Sequence, residues 1–456
     1  MLKIISIFLL ILLTSCQTII VPHRELGKNL KSNLQINELN FEKYKTDVIP
    51  GELTIIEAKK IALSGNPSLK AAGERIKRAK AVIDQSRALY YPTITAAAGA
   101  RHQSLSPDTI AGTSSEPFEN YSASLNAKWL VYDGFVREYN ILAAQYGEIN
   151  SSESYKDTKR LLVDSVSQAF YETILAAKQI EINLELKEIN EKFLKDTKFK
   201  EEAGTATLTE VNNFIVNKND SQIAYLDAKN SFETSKLILV ELLGVPEADT
   251  DAFKTVFKDY KITVPEYKTA LGVALSKRPD LKALQAQILA AEAQIKQAEG
   301  EYQPQIFLEG NYGASSFDRA GFGDNNRDAY VGVGMNWNLF SGNSTEALIL
   351  QRTAEKDEQL QNLKSQWNRI ISEIRQQRNS LLNTLERVKV QKESAELSKK
   401  IYEDTKQIYE NGATTITRVN EVLTDYSIAK LSQVLFEVEA LRRKELLNAL
   451  MGVNID

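Results

Sequence analysis

Ser64-Gly65-Asn66-Pro67-Ser68-Leu69-Lys70-Ala71 and Ser276-Lys277-Arg278-Pro279-Asp280-Leu281-Lys282-Ala283 are two versions of one stretch, 212 residues apart. The same offset pairs Ala62 with Ala274, Ile83 with Ile295, Gln85 with Gln297, Tyr90 with Tyr302, Pro92 with Pro304 and Ile94 with Ile306. Further along the offset becomes 208, pairing Trp129 with Trp337, Gly134 with Gly342, Gly204 with Gly412 and Leu243-Gly244-Val245 with Met451-Gly452-Val453. One register held over so much chain marks an internal duplication, with a single loop shortened between Pro92 and Trp129. The units are residues 53–245 and 265–453, joined by a linker at 246–264.

Each unit reads alike. Thr54-Ile55-Ile56-Glu57 has the form of a capping box opening a short helix, and Asn66-Pro67 restarts the chain as a second helix that ends near Tyr91-Pro92. Two segments of period two follow. Ile94, Ala96, Ala98 and Ala100 alternate with Thr93, Thr95 and Arg101; Tyr121, Ala123, Leu125, Ala127, Trp129 and Val131 alternate with Ser122, Ser124, Asn126 and Lys128. In the second unit Ile306, Leu308 and Tyr312 oppose Gln305, Glu309 and Asn311. Val331, Val333, Met335, Trp337 and Leu339 oppose Gly332, Gly334, Asn336 and Asn338. Strands of about 9–11 residues with one apolar face suit a bilayer crossing. Trp129, Tyr132, Trp337 and Phe340 cluster where the strands end, as an aromatic girdle would.

After each second strand a helical pattern runs without Pro, about 137–202 and 345–410, roughly 100 Å at 1.5 Å per residue. Val163, Val166, Phe170, Ile174, Ala177, Ile180 and Leu184 form a coiled-coil-like seam. Gly204 and Gly412 end these helices, and shorter ones return over 208–243 and 416–450. Returning and leading helices stacked end to end match the long helix in length. The fold class is mainly α with a membrane β portion: an antiparallel helical tunnel below a sheet. Four strands cannot close a barrel, for which about eight are the minimum, and open edges cannot sit in lipid. Several chains must therefore contribute: two give eight strands with an interior filled by side chains, and three give twelve strands and a lumen.

Composition sets the outer limits. Of 456 residues, 56 are Lys or Arg and 60 are Asp or Glu, for a net charge of −4, so no basic field suits nucleic acid. One Cys excludes a disulfide framework. The single long apolar run, Ile4 to Leu13, has the length of a signal-peptide core, which excludes a helical membrane transporter. Leu13-Thr14-Ser15-Cys16 resembles the bacterial lipobox, giving a signal peptide at 1–15 and a lipidated Cys16 opening a tether at 16–52. No nucleophile–base pair or phosphate loop points to an enzyme. No cofactor is expected, and the acidic loop holding Asp318, Asp324 and Asp328 lacks the ordered spacing of a Ca²⁺ site.

The duplicated pattern resembles the TolC family of bacterial outer-membrane efflux and secretion channels. The features that carry the resemblance are Asn66-Pro67 and Arg278-Pro279-Asp280-Leu281, Tyr-x-Pro before each first strand, Trp-x-x-Tyr/Phe-x-Gly after each second, Gly-x-x-Thr at the helical turns and a final Leu/Met-Gly-Val. The resemblance implies a homotrimer with a twelve-stranded outer-membrane barrel and a periplasmic helical tunnel. It also implies docking to a periplasmic adaptor (membrane fusion) protein and to an inner-membrane efflux pump or ABC exporter. The family's acidic periplasmic constriction falls by position on Glu210 and Asn213 and on Arg418 and Glu421. Arg418 carries the opposite charge there, suggesting a gate closed partly by its pairing with Glu210, Glu421 or Asp425. The turns with Gly204, Thr205 and Thr207 and with Gly412, Thr414 and Thr415 are candidate adaptor contacts. The rival reading is a lipid-anchored periplasmic coiled-coil protein without channel activity, which leaves four amphipathic strands unused.

Overall fold

The computed structural model describes residues 49–103, 118–256, 262–317 and 327–453. The expected signal peptide, Cys16 and most of the tether lie outside them, as do Asp318 and Asp324 of the acidic loop.

The duplication is visible element by element. The first unit holds α1 (Ile55–Gly65), α2 (Pro67–Ala88), β2 (Thr93–Gln103), β3 (Phe118–Tyr132), α3 (Val136–Glu202) and α4 (Leu208–Leu243). The second holds α5 (Tyr267–Lys277), α6 (Pro279–Glu299), β5 (Gln305–Phe317), β6 (Arg327–Asn336), α7 (Ser344–Glu410) and α8 (Ile416–Leu450). Two short strands outside this plan, β1 (Glu52–Leu53) and β4 (Lys254–Thr255), pair in parallel. They clip the start of the first unit to the linker, a contact that two-residue strands leave no periodic trace of.

Local chemistry sets the helix ends. Thr54 and Glu57 form the expected reciprocal capping box at α1. Asn66 caps α2 by accepting from Ser68 N at 2.9 Å, while its Nδ2 donates to Leu242 O at 2.9 Å. In the second unit the Arg278 guanidinium reaches the matching carbonyl, Leu450 O, at 3.4 Å. Thus α2 starts where α4 ends, and α6 starts where α8 ends. Each long helix, 67 residues or about 100 Å, is flanked by two shorter ones stacked end to end.

Burial concentrates in three places. A cluster including Leu53, Ile55, Val166, Phe170, Leu239, Leu243 and Phe253 holds the middle of the first unit. Ala270, Ala274, Ile370, Ile374, Leu381 and Leu447 hold the second. Near the helical turns Phe193, Phe214, Tyr402, Val419, Leu423 and Tyr426 lock α3, α4, α7 and α8 together.

The sheet runs β2-β3-β5-β6, all antiparallel. Its apolar side is not covered by the rest of the chain: Val331, Val333 and Met335 are 87%, 74% and 65% exposed, and Ile94 and Leu125 are exposed as well. The other side carries Lys128, Asn126, Glu309 and Asn311, with Asn311 donating to Asn126 across strands at 2.7 Å. A soluble sandwich would bury one of these sides; here neither is packed on.

One expected boundary is corrected. The alternation predicts β6 through Leu339, but the strand ends at Asn336. Among the described residues its one neighbour, β5, begins at Gln305 opposite Asn336, so Trp337 and Leu339 have no strand backbone there to pair with. The matching residues of β3 run on to Tyr132 because β5 lies beside them, across a bulge near Leu130.

Candidate functional site

Two regions carry the polar chemistry: the joint between sheet and helices, and the turns at the far end of the rod.

At the joint, the indole N–H of Trp129 donates to Tyr90 O at 2.8 Å, and that of Trp337 donates to Tyr302 O at 3.0 Å. These repeated bonds tie each second strand to the Tyr-x-Pro stop of the preceding helix. Trp129, Trp337 and Phe340 remain exposed and Tyr132 half-buried, edge-on to Phe135. Trp129 and Tyr132 lie at the end of β3, and Trp337 and Phe340 just beyond the end of β6. Sequence reasoning missed the ion pair beneath them. Arg137 and Asp133, with side chains only 5% and 4% exposed, meet at 3.0 Å. The same guanidinium donates to Leu130 O and Val131 O and sits 4.6 Å over the Tyr90 ring. The chain passes this point through Gly134 and Phe135, both left-handed. A Cβ on Gly134 would lie 2.6 Å from Gly300 O. The second unit has Ser341 and Thr345 instead, so an Asp and an Arg four residues apart around a Gly, without a counterpart in the other unit, were the only signal available.

At the far end both turns use one device. Gly204 and Gly412 are left-handed, and Thr205 N and Ala413 N reach back to Lys200 O and Ile408 O at 2.8 and 3.0 Å. Thr207 and Thr415 then cap α4 and α8. Glu210 completes a capping box by accepting from Thr207 N at 2.7 Å. Arg418 stands at the same place in α8 and cannot accept, so that box is half-made. Its guanidinium instead donates to Glu421 at 2.9 Å on its own helix. Of the three partners weighed for Arg418, the structure forms the Glu421 pair.

An open groove of about 620 Å³ runs between α4 and α8 over α3. It brings together Glu210, Asn213, Asn420 and Glu421, and adds Asp220 two turns beyond Asn213 along α4. No Lys or Arg lines it; Arg418 and Asp425 lie on exposed faces outside. Its charged lining is therefore carboxylate alone, set among amides, hydroxyls and apolar side chains such as Phe214, Val216, Ile416 and Ile428, so the field in the groove favours cations over anions. Deeper, Tyr402 stacks on Tyr426 at 5.9 Å, and burial pushes its hydroxyl pKa up to about 12. Gly204, Thr205, Thr207, Gly412 and Thr415 are exposed and Thr414 half-buried, so the turns form the outermost surface of this end.

Among the described residues no helix is long and apolar enough to cross a membrane, and no group of His, Cys, Asp and Glu is arranged to hold a metal ion.

The outer membrane efflux protein family matches residues 59–245 and 270–453, one stretch in each unit. Protein CyaE of Bordetella pertussis is 24% identical over 310 residues, 68% of this chain and 65% of that protein, so the chain spans just under two thirds of its length. The pyoverdine export outer membrane protein OpmQ of Pseudomonas aeruginosa is 24% identical over 371 residues, covering 79% of this chain and 77% of that protein. In three dimensions the Campylobacter jejuni CmeC outer membrane channel superposes with a TM-score of 0.77 over 87% of this chain and 85% of that one, at 16% identity. Helical rod, four-stranded sheet and duplicated sequence thus agree: the chain belongs to the outer membrane efflux protein family.

Proposed function

We propose that this chain is the outer-membrane channel subunit of a tripartite efflux or type I secretion system, a passive conduit rather than an enzyme. One observation carries the reading: a four-stranded sheet, apolar on one side and polar on the other, with neither side packed on, mounted on a rod about 100 Å long. Such a sheet has free edges at β2 and β6 that lipid does not tolerate. Three copies close it into twelve strands with the polar sides of all strands inward, and their rods form a tunnel across the periplasm. CyaE and OpmQ, as relatives, support this class. OpmQ is named for pyoverdine export; the cargo of this chain is set by its pump.

The exposed turns around Gly204–Thr207 and Gly412–Thr415 dock the periplasmic adaptor, which links the tunnel to an efflux pump or ABC exporter in the inner membrane. Glu210 and Glu421 narrow the opening there, with Arg418 holding Glu421. Cys16, in its lipobox-like setting, carries the acyl anchor that ties the chain to outer-membrane lipid. Purified protein tests the reading: an SDS-resistant trimer that conducts in planar bilayers is expected. A water-soluble monomer without conductance overturns it in favour of a periplasmic coiled-coil brace. Cys16→Ser is expected to abolish labelling by radioactive palmitate.

A further inference from the structure

The duplication does more than repeat elements; it transforms contacts. Thr93 pairs with Lys128 where β2 meets β3. Moving the first partner by 212 and the second by 208 gives Gln305 with Asn336, which is the observed pairing of β5 with β6. The Trp–carbonyl bonds of Trp129 and Trp337 obey the same two offsets. One junction in the chain, β3 with β5, joins first unit to second and has no copy within the molecule. In the ring proposed above, its copy would join β6 to β2 of a second chain.

Applying the offsets to β3–β5 gives the register of that junction. Leu125 opposite Tyr312 becomes Val333 opposite Ala100, and Ser124 opposite Gly313 becomes Gly332 opposite Arg101. Apolar residues then meet apolar ones and polar meet polar, as the pleat requires; a slip of one residue would reverse every side chain. Trp337 to Phe340, left without a strand partner here, would face Ala96, Thr95 and Ile94, as Trp129 to Tyr132 face β5.

One row of the polar side now has a chemical reading. Gly332 already faces Glu309 on its other flank, and nothing lies within 4 Å of where its Cβ would be. Lys128 stands opposite Glu309 on β3, but its ammonium sits 4.4 Å over the Phe307 ring. Among the described residues Arg101 is exposed and forms no ion pair within its own chain. Two strand spacings, about 10 Å, separate Arg101 of a second copy from Glu309. Side chains leaning over a strand that bears only hydrogen can close that distance. We infer that Arg101 of one copy pairs with Glu309 of its neighbour across Gly332, and that this pair sets the register of the β6–β2 junction between copies.

The inference rests on the ring assembly proposed above, and the test separates the two. The chain has one natural Cys, at position 16, so introduced pairs are readily followed. Oxidising Val333→Cys with Ala100→Cys in membranes is expected to give covalent dimers and trimers on non-reducing gels. Val333→Cys with Ala98→Cys, shifted by two residues, should stay uncrosslinked. Crosslinking of the shifted pair instead, or of neither pair, overturns the register but leaves the ring standing as long as the unsubstituted chain runs as a trimer in unheated SDS; loss of that trimer overturns both. Separately, Arg101→Glu and Glu309→Arg should each lose the trimer that survives unheated SDS, and the double exchange should recover it. Single variants with undiminished trimer, or a double variant without recovery, overturn the ion pair.

Discussion

Arg137 shows how one side chain can hold a joint. Its guanidinium answers a buried carboxylate and two strand carbonyls at once, so truncating it strands Asp133 without a partner. Arg137→Ala is expected to cost about 3–5 kcal/mol, read as a lower melting point of the purified oligomer, with part of the loss recovered by Asp133→Ala. Gly134 offers a second check. Gly134→Ala meets both left-handed strain and the Gly300 carbonyl, whereas Gly204→Ala meets only the strain, about 1–2 kcal/mol. The first should therefore destabilise more; equal losses would show that the Gly134–Gly300 approach is soft. Neither feature was legible beforehand. The sequence marks Trp129, Tyr90 and Gly134 as recurring, but recurrence does not say that an indole N–H finds a helix-end carbonyl. Arg137 does not recur at all, being replaced by Thr345.

At the scale of elements, period decides what can be read. Alternation exposed the strands and the Pro-free stretches exposed the long helices, because every residue reports on them. The short pair Glu52–Leu53 with Lys254–Thr255 reports through two residues a side and stayed hidden, as did the early end of β6, which depends on a neighbouring strand. The far end of the rod was legible in its turns but not in its lining: Asp220 joins Glu210 and Glu421 only once α4 and α8 are set side by side over α3. Two outcomes follow there. Arg418→Glu completes a capping box with Thr415 while releasing Glu421, and should raise the closed-state leak in planar bilayers; an unchanged leak removes Arg418 from the gate. Tyr402 is neutral when folded, and its pKa is raised from 10.0 to about 12, so its stabilisation is whole below pH 10 and lost as pH rises through about 12. Helix loss at the turns in that alkaline range should shrink in Tyr402→Phe.

For the whole molecule, in the trimer proposed above, the two offsets mean that three chains approximate six copies of one smaller unit, alternating covalent and non-covalent junctions. The two kinds are not chemically alike. The covalent one is crossed by ion pairs, Lys59 with Glu445 at 2.6 Å and Arg442 with Glu172 at 2.8 Å. Beside Asp157 and Arg160 of the first unit, Arg278 grips Asp280 at 2.7 Å, burial opposing the charge on Asp280 while Arg278 and Gln366 pull its pKa below the ordinary value. The residues at the corresponding places, Asn66 and Ser68, are uncharged. The Asp280 contribution to folding within a chain should thus be present at neutral pH and lost only as pH falls below the usual carboxylate range. The free edges of β2 and β6 have a kinetic meaning. A lone chain offers lipid an unpaired backbone on two flanks, so insertion has to wait for encounter. The number of open pores should then climb more steeply than the amount of protein supplied, and a small fall in synthesis should silence export out of proportion.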